Sequence, residues 1–172
     1  MKHEGIIIVG LCAVLLCASC SSKIDKDKFR DANHTVIAIQ RSLAADVTFQ
    51  DFSELLQRFS DRITVLQDTV KSKRERELVQ EYVELLEMYQ DGFLLWKYQR
   101  EFSGHSFVPE GRIYVGQDVE PLVVKYRFET ESHIFEPTGQ HWKSISADSI
   151  KVVWQSADQQ RKRIDMLLNE EG

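Results

Sequence analysis

Apolar residues recur at steps of three and four along most of the chain, the spacing that puts them on one face of a helix. Phe29, Ala32, Val36, Ile39 and Leu43 form the first such stripe. Phe52, Leu55, Phe59, Ile63, Leu66 and Val70 form the second, behind Thr48-Phe49-Gln50-Asp51, a hydroxyl N-cap with an acid three residues on. Ser72-Lys73-Arg74-Glu75 is an S-x-x-E capping box placed where that stripe lapses, so a new helix is expected from 73 rather than one continuous rod. Leu78, Tyr82, Leu85, Tyr89, Phe93 and Trp96 carry the third stripe up to Ser103-Gly104. A last helix is expected over 148–169, with Asp148 as its cap and Ile150, Val153, Ala157, Ile164, Leu167 and Leu168 in line, interrupted by Gln160.

The punctuation changes in the middle. Residues 23–103 hold no proline and one glycine, Gly92, whereas residues 104–139 hold all three prolines and four glycines. That block reads as an irregular or mixed excursion. Within it, Asp118-Val119-Glu120-Pro121 resembles a helix start, and a short helix over 118–128 is favoured over the strand that the alternation from Leu122 to Glu129 also allows. The expected fold is all-α: a four-helix-bundle-like domain over 28–172, with helices near 28–46, 49–70, 73–102, 118–128 and 148–169, and the excursion between its third and last long helices. Short connections make the first three helices antiparallel neighbours.

The start of the chain follows another pattern. Lys2 and His3 precede an apolar run from Ile6 to Leu16 broken only by Gly10, and small residues follow at Cys17, Ala18 and Ser19. This is the plan of a secretory signal, with an apolar run too short for a bilayer, which needs about 20 residues. Leu16-Cys17-Ala18-Ser19-Cys20 resembles the lipobox of bacterial lipoproteins, departing from it at Cys17, where that class prefers Leu. The resemblance covers the first 22 residues or so. It implies cleavage after Ser19, a diacylglycerol on the Cys20 thiol, and a bacterial cell-envelope location. Ser21, which is not Asp, implies the periplasmic face of the outer membrane if the source is Gram-negative. An ordinary signal peptide cut after Ser19 and an uncleaved anchor are the alternatives. Residues 20–27 read as a lipid-anchored polar lead.

Composition adds limits. Cys12, Cys17 and Cys20 are the only cysteines. Cleavage would leave Cys20 alone, so neither a disulfide framework nor a thiolate metal site is expected. Lys2 and Glu4 cancel, so the remaining 153 residues keep the net charge of −5. That balance speaks against nucleic acid as a partner and against broad adhesion to anionic lipid.

Candidate chemistry is sparse. His34, His105, His133 and His141 show no i, i+4 pair, and Glu131-x-His133-x-x-Glu136 with His141 is the best mixed nitrogen–oxygen cluster, weighed against a solvated loop. Ser103-Gly104-His105-Ser106 is no nucleophile elbow, and no phosphate-binding glycine loop is present. No catalytic residue, metal or cofactor is expected. Basic clusters at Lys71, Lys73, Arg74 and Arg76 and at Arg161, Lys162 and Arg163 read as a hairpin tip and a solvated helix face, with contact to anionic headgroups or acidic envelope polymers as the alternative.

Aromatic residues are the distinctive feature: of 17 in the chain, 12 lie between Tyr89 and Trp154. Leu94, Leu95, Trp96, Tyr98 and Phe102 run around most of the third helix, so something must cover its far side. Residues 105–145, with Phe107, Tyr114, Phe128, Phe135 and Trp142, are the expected cover. The sharper reading is a partner-binding surface formed by Trp96, Tyr98, Phe102, Phe107 and Trp142. The expected function is therefore a non-enzymatic envelope protein, tethered to the membrane through Cys20 and acting through an envelope protein partner. An inhibitor or exclusion-type lipoprotein is one alternative. A small-ligand binder with a site near His133 and His141 is another.

Overall fold

A computed structural model describes residues 23–45 and 47–169. Cys20, its leader and the signal-peptide boundary lie outside the described residues. The chain is mostly helical, with a small sheet. Its elements are α1 (Lys26–Ala44), α2 (Phe49–Thr69), α3 (Lys73–Phe102), β1 (Arg112–Tyr114), α4 (Glu120–Tyr126), β2 (Glu131–Phe135), β3 (Gln140–Ser146) and α5 (Ser149–Asn169). Among the described residues no helix is long and apolar enough to cross a membrane.

Local chemistry starts the first three helices. The Asp25 and Thr48 side chains accept from the N–H groups of Asp27 and Asp51. Ser72 Oγ accepts the Glu75 N–H at 3.1 Å while Glu75 Oε2 accepts the Ser72 N–H at 3.3 Å, the reciprocal capping box. Glu75 does more than cap. Its buried carboxylate also takes the Lys28 ammonium at 2.7 Å and so ties the start of α1 to the start of α3. Burial alone would raise its pKa; the Lys28 ammonium and the Ser72 and Lys71 N–H groups outweigh that and hold it at about 2.

One core fills the space between the long helices. Phe29, Phe52, Phe59, Tyr82, Leu85 and Tyr89 are all 2% exposed or less, and α5 adds Ala157 and Ile164. Phe59 packs edge-on against both Tyr82 and Tyr89. Gly92 lets α5 approach α3, because a Cβ there would stand 2.2 Å from Trp154 Cη2. Gln160 breaks the α5 stripe for a reason: its buried amide donates to the Glu81 carbonyl at 3.1 Å and to Glu81 Oε2 at 2.8 Å.

One expectation is corrected and one refined. The lead is not wholly polar, since Ile24 is 7% exposed and belongs to the core, so the domain begins before α1. The excursion, expected to be irregular or mixed, carries a small sheet, while the fold as a whole is mostly helical, as the all-α expectation broadly has it. β1, β3 and β2 form an antiparallel sheet in that order, with Ile113 opposite Ile145 and His133 opposite Trp142. The strands are short, and β1 finds its partner more than thirty residues away, which leaves little periodic signal. Gly139, at φ +71°, turns β2 into β3 by donating to the Phe135 carbonyl at 2.8 Å. Ile113 and Ile145 face inward and join Leu95, Val119, Leu122 and Val153 in a second core that covers the end of α3.

The helix within the excursion is α4. Its leading residue is Val119, with Pro121 in the first turn, and Arg127 closes it at φ 54°. The Asp118 carboxylate instead accepts from the Tyr98 hydroxyl at 3.2 Å. Asp91 of α3 holds α4 in place, accepting from Lys125 Nζ at 2.7 Å and the Tyr126 hydroxyl at 2.8 Å. Burial and the Asp91 charge raise the Tyr126 phenol pKa, so it remains a donor. Asp148 directly precedes α5; its carbonyl accepts the Lys151 N–H at 2.9 Å and its carboxylate takes the Lys151 ammonium at 2.7 Å.

Candidate partner-binding site

Antiparallel register sorts the sheet's side chains. Residues directly opposite one another share a face, so Tyr114, His133, Phe135, Gln140, Trp142 and Ser144 lie together on the side away from the second core. The end of α3 and the loop that follows bring Phe102 and Phe107 over that face. Phe107 stands edge-on to Trp142 at 5.5 Å and to Phe135 at 5.8 Å. Phe102 lies 4.9 Å from Tyr114, and Tyr114 lies 5.7 Å from Trp142. Together with Gln140 these rings line an open cavity of about 360 Å³. Every aromatic in its wall is half-buried.

The wall is supported from behind. His133 stacks on Trp142 with centroids 4.2 Å apart, and its Nε2 lies 2.8 Å from Ser144 Oγ. Ser144 Oγ accepts from Arg112 Nε at 2.9 Å, and Arg112 pairs with Glu131 at 3.2 Å. Trp142 is thus held by stacking and by a polar chain that crosses all three strands. Tyr98 flanks the cavity, 5.5 Å from Phe102. Partial burial and Asp118 raise its phenol pKa, so the hydroxyl stays a donor to that carboxylate.

Of the residues the aromatic pattern singled out, Phe102, Phe107 and Trp142 meet in this cavity and Tyr98 adjoins it. Trp96 does not join them. It packs against Phe49 at 5.4 Å and Phe52 at 6.0 Å, on the helical side. Tyr114, Phe135 and Gln140 complete the lining, and His133 supports it. The alternation of His133-Ile134-Phe135 and Gln140-His141-Trp142 around Pro137-Thr138-Gly139 was the hairpin signal that could have placed them.

His133 and His141 face opposite sides of the sheet, because His133 opposes Trp142 while His141 opposes Ile134. Their rings cannot converge on one ligand. Among the described residues no group of three His, Cys, Asp or Glu side chains is arranged to hold a metal ion. Comparison with protein-family models, with curated proteins and with solved structures gives no match for this chain.

Proposed function

We propose that this is a lipid-anchored, non-enzymatic protein of a bacterial cell envelope that binds another envelope protein at the aromatic cavity, its long helices serving as a bundle-type scaffold. The cavity carries the reading. Five rings surround it, and Gln140 is the one lining side chain without a ring; the Tyr114 hydroxyl and the Trp142 indole N–H are the other polar groups of these side chains. A wall of five rings with few polar groups suits the apolar or aromatic side chain of a protein partner, the kind of anchor that dominates binding at protein interfaces. The lipobox-like stretch supports the tether at Cys20.

A photo-cross-linking residue at Gln140, in intact source cells, tests this. The expected result is a discrete protein adduct, identified by mass spectrometry, that disappears in a Phe107→Ala/Trp142→Ala variant whose helical circular dichroism is unchanged. No adduct, or one indifferent to the loss of both rings, overturns the proposal.

A further inference from the structure

The two ends of the long helices differ in what they carry. At one end lie the start of α1, the turn between α2 and α3, and the end of α5, joined by Lys28 to Glu75 at 2.7 Å and Lys26 to Asn169 at 3.4 Å. At the other end lie the sheet and the aromatic cavity. α3 connects them: Glu75 is in its first turn and Phe102 is its last residue. At 1.5 Å per residue, those 27 steps cover about 40 Å.

Ile24 is fixed in the core at the first end. Only residues 21–23 separate it from Cys20. Whatever their conformation, four residue steps span at most about 14 Å. That is little more than the thickness of one helix with its side chains, about 10–12 Å. A lipid on Cys20 therefore cannot reach past the end on which Ile24 sits. Charge there is more basic than the chain as a whole: residues 23–30, 68–77 and the last turn of α5, 165–169, hold eight Lys and Arg against six Asp and Glu, in a chain of net charge −5. The exposed flank of α2 before that end is of the other sign, with Asp51, Glu54 and Asp61 against Arg58 and Arg62.

We infer that the end formed by the start of α1 and the α2–α3 turn rests on the bilayer holding the anchor, and that α3 acts as a strut presenting the aromatic cavity about 40 Å out in the aqueous space. The inference rests on the proposed tether at Cys20. It specifies the partner further: the cavity meets a protein segment exposed to the aqueous compartment, not one embedded in the same bilayer.

The test uses the full chain, purified with its lipid and reconstituted in phosphatidylethanolamine–phosphatidylglycerol vesicles that contain a headgroup-linked nitroxide quencher. With Cys20 acylated and the leader removed, Lys73→Cys or Ser106→Cys supplies the one free thiol for a fluorophore. Both positions are exposed. Quenching at 73 should exceed that at 106 at least fivefold. Equal quenching in a lipidated, vesicle-bound protein, or stronger quenching at 106, overturns the orientation alone. A protein whose mass lacks the diacylglycerol and which does not float with vesicles overturns the tether, and the orientation with it.

Discussion

The helical core and the sheet end use the same kinds of side chain to opposite effect. Between the helices, Phe52, Phe59, Tyr82 and Tyr89 are enclosed on every side and no more than 2% exposed. At the sheet, Phe102, Phe107, Tyr114, Phe135 and Trp142 touch one another just as closely yet stay half-buried around an open cavity. The difference lies in the layers available. α2 and α5 both pack on α3, whereas among the described residues the outer face of the sheet has only the end of α3 and one loop to cover it. Aromatic clustering alone does not say whether a region is core or surface. The number of elements stacked on it does.

That contrast can be broken from either side. The largest effect is expected in the helical core, where Phe59→Ala should cost about 3–5 kcal/mol by urea denaturation. A loss under about 1 kcal/mol would mean that Phe59 is less enclosed than its 0% exposure indicates.

Glu75→Gln comes next. The group has a usual pKa of 4.5 and is held at about 2 in the folded chain. Its ionised form therefore stabilises the fold above pH 4.5, and that contribution fades as pH falls from 4.5 towards 2. The variant should be less stable than wild type by about 2–3 kcal/mol near neutral pH. The gap should narrow steadily on acidification in denaturation curves. A gap independent of pH would assign the effect to packing and not to the Lys28 pair.

Gly92→Ala should destabilise by about 1–2 kcal/mol in spite of alanine's better helix propensity, because the added carbon meets the Trp154 ring. A gain in melting temperature would show that α5 can move away without loss.

The smallest effect on stability is expected at the sheet end. Phe107→Ala should cost roughly 1 kcal/mol or less, since much of that ring already meets water. Its cost should fall on the adduct at Gln140 instead. If it unfolds the protein as Phe59→Ala does, the cavity wall is core and the contrast fails.

Much of the helical part was legible because its rules are local. The three- and four-residue spacing of Phe29–Leu43 and Phe52–Val70, and the Ser72–Glu75 box, act within one or two turns. α4 was half-legible: Pro121 marked its first turn, but the same residues alternate as a strand would. Ile24 was missed because one apolar residue among charges has no period. The sheet was missed for a different reason. Arg112-Ile113-Tyr114 is too short to show alternation, and its partner Ser144–Ser146 lies far along the chain.

The candidate site was legible in kind but not in membership. Crowding of aromatics pointed to Phe102, Phe107 and Trp142 but equally to Trp96, since composition carries no direction. Local spacing and capping chemistry thus determined where the helices run, because each such rule operates within a few residues of backbone. Only the tertiary structure decided which aromatics are enclosed and which line a cavity. That depends on strand register and on how many layers cover each face, and both are set by contacts between residues distant in the chain.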